Sequence, residues 1–168
     1  MINKFKSYKN KLAIYDEIQS LSYNQILIEK NKINKKINKR SLILLISENT
    51  IGTIISYIFS ILNNHVLIIV DSKSSEKNIQ NILSNYKPDY IFCSLKYKKI
   101  LKNFNVVFEF YGQYLFKSKI IIKKKLNKNL SVLLSTSGSM HSSKFVRLSK
   151  KNLKSNTLSI IKYLKLKS

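Results

Sequence analysis

The chain has 168 residues, enough for one domain with a sizeable hydrophobic core. Apolar residues make up 44% of it, which excludes a disordered polypeptide, although the formal net charge is +23. Such a charge is typical of proteins that bind nucleic acid or anionic membranes. However, the lysines are spread along the chain together with a general excess of Asn and Ile, as an AT-rich coding sequence would give. We therefore do not expect nucleic acid as a partner.

The cysteine and histidine content excludes several kinds of site. The single cysteine, Cys93, cannot form an internal disulfide, and its place in an apolar run is typical of a small core residue. His65 and His141 have no potential ligands at metal-binding spacing, so no metal site is predicted. The N-terminus lacks the features of a signal peptide. The longest apolar stretch, Ile51–Leu62, is shorter than the roughly 20 residues that span a bilayer. We expect a cytoplasmic protein.

The first half of the chain predicts alternating strands and helices. Lys11–Asp16 and Ser20–Tyr23 are predicted to pair as a hairpin, and Asn24–Asn38 has apolar residues at helical spacing. A buried strand, Leu42–Ile46, is followed by a helix, Ile51–Leu62, that Thr50 caps. A second strand, His65–Val70, leads to a helix that begins after Ser74 or Ser75, runs to about Tyr86 and is closed by Pro88. Tyr90–Cys93 is the third strand. This alternation is typical of a parallel sheet with right-handed crossovers.

The second half is more irregular. Three segments are predicted to be short strands: Val106–Tyr111, Tyr114–Phe116 and Ile120–Ile122. Two further strands, Leu130–Leu134 and Phe145–Leu148, flank a loop, and Ser149 is predicted to cap a last helix from Lys150 to about Leu164. The fold class is α/β, with a layered, mostly parallel sheet and flanking helices.

The loop between the last two strands is rich in hydroxyl groups and contains one glycine, Gly138, and one lysine, Lys144. Hydroxyls, backbone N–H groups and a lysine can together hold an anion. The alternative is a serine-rich hairpin turn, because Gly and Ser also populate turns. A Walker A loop is excluded, since Ser143 precedes the lysine, Phe145 follows it, and a strand comes next.

The loop resembles the phosphate loop of the AMP-forming adenylating enzymes, which include acyl-CoA synthetases, luciferases and peptide-synthetase adenylation domains. Their signature is Thr-Ser-Gly-[Ser/Thr]-Thr-Gly-x-Pro-Lys, and this chain matches it at Thr136, Ser137, Gly138, Ser139 and Lys144. Weaker matches occur in the same order upstream, at Ala13–Asp16 with Leu21–Tyr23, at Leu45–Asn49, at His65–Asp71 and at Lys87–Ile91. The resemblance implies an ATP-dependent ligase that adenylates a carboxylic acid, with these five loop residues binding ATP phosphates.

The chain also departs from the family pattern. Met140, His141, Ser142 and Ser143 stand where the family has Thr-Gly-x-Pro, so a glycine and a hydroxyl of the signature are missing. If the glycine position requires a positive φ, a histidine occupies it with some strain. His141 could itself face a phosphate, but a histidine without a role is the simpler interpretation.

The resemblance covers only the N-terminal part of the family's large domain. Motifs for the adenine and acyl pocket, the magnesium-binding glutamate and the catalytic lysine cannot be placed after Leu153. We expect residues 1–168 to form one partial domain that ends after the phosphate loop and the next helix, with no catalytic residue, no metal ligand and an exposed apolar face. The missing part could be a separate chain. The alternatives are a non-catalytic binding protein that reuses the fold and a basic nucleic-acid binder.

Overall fold

In the computed structural model, residues 7–120, 122–135 and 145–166 are described. Nine strands are present in these ranges: β1 Leu12–Tyr15, β2 Ser20–Ser22, β3 Leu42–Ser47, β4 Val66–Asp71, β5 Tyr90–Cys93, β6 Phe104–Phe110, β7 Gln113–Ser118, β8 Leu130–Ser135 and β9 Phe145–Ser149. The same ranges contain four α-helices and a 3₁₀ helix: α1 Tyr23–Asn34, α2 Ile51–Leu62, α3 Glu76–Tyr86, the 3₁₀ helix Leu95–Ile100, and α4 Lys150–Tyr163.

Seven strands form one sheet in the order β6-β7-β5-β3-β4-β8-β9. The central four, β5, β3, β4 and β8, are parallel, whereas β6, β7 and β9 pair antiparallel at the two sides. The hairpin of β1 and β2 is a separate small sheet. The predicted α/β architecture with a largely parallel central sheet is therefore confirmed.

Helices cover both faces of the sheet, which explains why its central strands are apolar along their whole length. On one face, α1 and α2 pack through Ile26, Ile55 and Phe59. On the other, α3 and the 3₁₀ helix pack through Ile79 and Tyr97. Every residue of β3 from Leu42 to Ile46 is buried as a result.

The helix boundaries follow from local capping. Thr50 accepts a hydrogen bond from the Thr53 backbone N–H at the start of α2, and Ser75 and Ser149 do the same for α3 and α4. At the end of α3, Lys87 has a φ of 48° and is followed by Pro88, which cannot continue a helix. The predicted caps of α2 and α4 are confirmed, and Ser75 is the cap of α3.

One predicted strand is wrong. Ile120 and Ile122 do not belong to a strand, because the Ser118 hydroxyl donates to the carbonyl of Ile120 and accepts its N–H, which replaces strand pairing. The helix predicted over Asn24–Asn38 is present and spans Tyr23–Asn34, so it ends sooner than expected. The 3₁₀ helix was not predicted.

The last helix, α4, differs from the others because none of its residues is buried. Leu153 packs against the cluster beneath α1 and α2. However, Leu158 is 55% exposed, Ile161 38% and Leu164, just beyond the helix, 56%. Much of the apolar side predicted for this helix therefore faces away from the protein. Within the described ranges, no helix combines the length and apolarity needed to cross a bilayer.

Candidate functional site

All five predicted site residues, Thr136, Ser137, Gly138, Ser139 and Lys144, lie outside the described residues, as do the departures at residues 140–143. The structure describes the frame that carries them. Strands β8 and β9 are antiparallel neighbours, and Ser135 is paired with Phe145 at the loop end of the hairpin. Residues 136–144 therefore connect two adjacent strand ends, as predicted, and the connection is longer than the two to five residues of common hairpin loops.

The sheet register fixes where this connection leaves the sheet. Leu134 in β8 is aligned with Ile69 in β4, which is aligned with Leu45 in β3. Ser135 is thus level with the last residues of the parallel strands, at their carboxyl edge. Ligands of open α/β sheets bind at this edge. The strand ends that flank residues 136–144 therefore lie at the edge where a ligand is expected.

The polar residues that follow β3 and β5 meet at the same edge. Glu48 accepts a hydrogen bond of 3.2 Å from the Ser94 hydroxyl and forms an ion pair with Lys96. The hydrogen bond to Glu48 is the main reason why the pKa of Lys96 is raised. Because Lys96 is held by this carboxylate, its charge is partly neutralised. Apart from the position of both residues just after strands, nothing in the sequence indicated this pair.

Other hydroxyl groups along this edge are also used within the protein. The Ser47 hydroxyl donates to the Val70 carbonyl over 3.1 Å, and the Thr50 hydroxyl donates to Thr53 over 3.1 Å. The Asp71 carboxylate accepts the backbone N–H of Lys73 over 2.7 Å. These contacts shape the ends of β3 and β4 beside β8.

Two residues that could have been functional are structural. Cys93 is fully buried, and burial raises the pKa of its thiol, so the predicted core role is confirmed. His65 is 2% exposed, and its Nδ1 accepts the Ser41 backbone N–H over 3.2 Å. Burial, together with the nearby Arg40 guanidinium, lowers the pKa of His65 to about 4. The imidazole is therefore neutral at pH 7.

Arg40 organises the opposite, amino edge of the sheet and was not singled out from the sequence. Its guanidinium donates to the carbonyls of Asn64, Leu126, Asn127 and Leu130 at 2.8 to 3.2 Å. The Asn64 carbonyl lies just before β4, those of Leu126 and Asn127 lie before β8, and that of Leu130 is at the start of β8. One side chain therefore ties together the segments that enter three parallel strands.

A metal site is not apparent among the described residues, which contain no group of three or more His, Cys, Asp or Glu residues able to hold an ion. The donor set of the 136–144 connection, which consists of hydroxyls, backbone N–H groups and a lysine, suits phosphate oxygens and not a cation.

Comparison with known proteins shows which solved structures share this fold. No protein-family model matches the sequence, and no curated protein matches it. Among solved structures, apo MatB from Rhodopseudomonas palustris superposes with a TM-score of 0.73 at 15% identity, over 94% of this chain and 35% of that one. O-succinylbenzoate coenzyme A synthetase (MenE) from Bacillus subtilis, in complex with AMP, gives a TM-score of 0.72 at 11% identity, over 99% of this chain and 46% of that one.

A second MenE structure, in complex with the acyl-adenylate intermediate OSB-AMP, gives a TM-score of 0.71 at 12% identity. The chain thus spans 35 to 46% of the length of these structures, while nearly all of it is matched. At such low identities the likeness establishes the fold alone. The chain has the fold of part of an AMP-forming adenylating enzyme, and the resemblance noted in the sequence is confirmed at that level.

Proposed function

We propose that this chain is the phosphate-loop-bearing N-terminal part of an ATP-dependent, AMP-forming ligase that adenylates a carboxylic acid. The observation that supports the proposal best is the position of the strand ends that flank residues 136–144, the segment with the loop resemblance. These ends of β8 and β9 lie at the carboxyl edge of a sheet whose fold matches a coenzyme A synthetase seen with AMP and with an acyl-adenylate.

In the proposed reaction, a carboxylate oxygen of the substrate attacks the α-phosphorus of ATP, and the bond between that phosphorus and the bridging oxygen of the β-phosphate breaks. The products are an acyl-adenylate and pyrophosphate. The contribution of this chain is to hold the β- and γ-phosphates. The hydroxyls of Thr136, Ser137 and Ser139, the backbone at Gly138 and the Lys144 ammonium group would donate to their oxygens. Positioning and charge stabilisation of this kind account for most of the rate enhancement in phosphate chemistry.

We further propose that the chain is inactive alone and that a separate polypeptide supplies the rest of the fold. The matched structures are more than twice as long as the matched region. The exposed apolar residues of α4 and the segment after it, Leu158, Ile161 and Leu164, are suited to pack against that remainder. Magnesium is expected with ATP in a complete relative, and its ligands would come from the remainder. The cytoplasm, where ATP is available, is the proposed location.

The test is ATP–pyrophosphate exchange that depends on an added carboxylic acid. It is measured for this chain alone and for this chain mixed with a polypeptide that carries the remaining motifs, sought first in the DNA next to this coding sequence. We expect no exchange from either polypeptide alone and exchange from the mixture. Exchange by this chain alone would contradict the need for a partner. The absence of both exchange and ATP binding in every mixture would contradict the proposed function.

A further inference from the structure

A cleft of about 380 Å³ lies at the amino edge of the sheet. It is bounded by the segments that enter β3, β4 and β8 and by the start of α4. Strand β8 begins at Leu130 beside the cleft and ends at Ser135. Six strand residues extend over about 17 Å. The cleft therefore lies at the opposite end of β8 from the strand end that precedes the predicted phosphate loop.

The cleft is strongly basic. Arg40, Lys128, Lys150 and Lys151 line it, and no Asp or Glu of the described ranges is among its lining residues. The Arg40 guanidinium donates to four carbonyl oxygens and not to a carboxylate, so no negative side chain neutralises its charge. Lys150 donates to the Asn64 side-chain oxygen, which is also neutral. None of the described residues that line the cleft forms an ion pair, so its positive charge is not offset there.

The amino end of α4 meets the same cleft. Because β9 runs antiparallel to β8, Ser149 is paired with Leu130 at the amino edge, and α4 begins there. The Ser149 side chain caps the N–H of Asn152. The N–H groups of Lys150 and Lys151 have no acceptor within the helix, since they belong to its first turn. A helix start of this kind adds partial positive charge and donors for an anion.

A buried hydroxyl in the wall of the cleft also lacks a partner. Ser131 is 2% exposed, and its Oγ makes no hydrogen bond to any described residue. It lies in β8, next to the strand residue paired with Ser149. Buried hydroxyl groups are almost always hydrogen-bonded, so an unpartnered one in the wall of a basic cleft indicates that a ligand or solvent supplies the acceptor.

We propose that this cleft is a binding site for a small phosphate-bearing anion. The cationic side chains supply charge, the first turn of α4 supplies N–H donors, and Ser131 supplies a hydroxyl donor. Phosphate oxygens can accept all three. The volume suits a small molecule, whereas binding to a nucleic-acid backbone uses basic residues along an extended track. This inference does not rest on the proposed ligase function.

The test is calorimetric titration with sodium pyrophosphate, and separately with inorganic phosphate, at constant ionic strength. It is performed on the full chain carrying Lys144→Gln, so that any phosphate held by the predicted loop is reduced. We expect saturable binding. Removing two cleft charges with Lys128→Gln and Lys151→Gln should weaken it at least tenfold, and Ser131→Ala about threefold. The matched control, Lys77→Gln with Lys98→Gln, removes two exposed charges elsewhere and should change the affinity less than twofold.

Three results would overturn the proposal. The first is the absence of saturable binding in a protein whose circular dichroism shows it to be folded. The second is an equal loss of affinity in the Lys77 and Lys98 control, which would indicate a general charge effect. The third is tighter binding of a single-stranded oligonucleotide that loses affinity in the same cleft variants, since this would assign the cleft to nucleic acid.

Discussion

The central region, residues 42–93, and the C-terminal region, residues 130–166, use their apolar residues differently. In the central region the strands are buried on both faces, and Phe92 contacts the rings of Phe59 and Phe110 at about 6 Å. In the C-terminal region only the middle of β8, from Ser131 to Leu133, is buried, and α4 has no buried residue. The apolar side chains of the central strands are thus covered by other parts of this chain. The apolar residues of α4 contribute little to the stability of this chain and are available for contact with another part of the fold.

The largest expected contrast comes from truncating one side chain in each region. Phe92→Ala should lower the free energy of unfolding by about 3 to 5 kcal/mol, because Phe92 is fully buried and its loss leaves a cavity. Leu158→Ala should change it by no more than about 0.5 kcal/mol, because Leu158 is 55% exposed. Urea unfolding followed by circular dichroism measures both. Similar losses for the two variants would show that α4 packs as a core helix.

A second contrast compares alanine substitutions within two helices. In α2, a Cβ at Gly52 would lie 2.7 Å from the Tyr111 carbonyl oxygen and 2.7 Å from the Gln113 Cβ. Gly52→Ala should therefore destabilise the protein by about 1 to 3 kcal/mol, although alanine favours helices. Ser155→Ala in α4 is exposed and should be neutral or stabilising by up to about 0.5 kcal/mol. A stabilising Gly52→Ala would mean that α2 and the β6–β7 turn are farther apart than described.

The central region should also carry a pH dependence through His65. Its pKa is about 4 in the folded protein and near 6.5 when unfolded, so the unfolded chain binds the proton more readily below pH 6.5. Stability should be complete above pH 6.5 and fall as the pH decreases towards 4, by about 2 kcal/mol between pH 7.5 and pH 5. Urea unfolding at both pH values measures the loss.

The matched control for that measurement is His65→Asn, whose side-chain oxygen can accept the Ser41 N–H that Nδ1 now accepts. This variant should lose about 2 kcal/mol less than the parent over the same pH range. An unchanged pH dependence would contradict the assignment to His65.

The central region was predictable because its apolar runs are short and are separated by capping residues such as Thr50 and by Pro88. The parallel pairing of its strands followed from the alternation of strands and helices. The apolar pattern could not show that Ile120–Ile122 is not a strand. The backbone of Ile120 is held by hydrogen bonds to a single side chain, the Ser118 hydroxyl. The spacing in α4 correctly indicated an apolar side. Periodicity cannot tell whether the surface that covers such a side belongs to the same chain.

The candidate site was predictable in part. The loop was found through its residue types, and its place between two strands is confirmed. The ion pair of Glu48 with Lys96 and the Arg40 carbonyl contacts could not be read from the sequence, because each joins segments that are distant in the chain. Such contacts depend on the order of strands in the sheet.

The most direct test of the proposed phosphate loop is the exchange rate of the complemented mixture with Lys144→Gln. If Lys144 holds ATP phosphates, this variant should lower carboxylate-dependent ATP–pyrophosphate exchange by about a hundredfold, the effect of removing one donor that stabilises developing charge. The control Lys77→Gln removes an equal charge from the exposed side of α3 and should leave the rate within about twofold. Equal rates for the Lys144→Gln and Lys77→Gln mixtures would contradict the assignment of residues 136–144 as the phosphate loop.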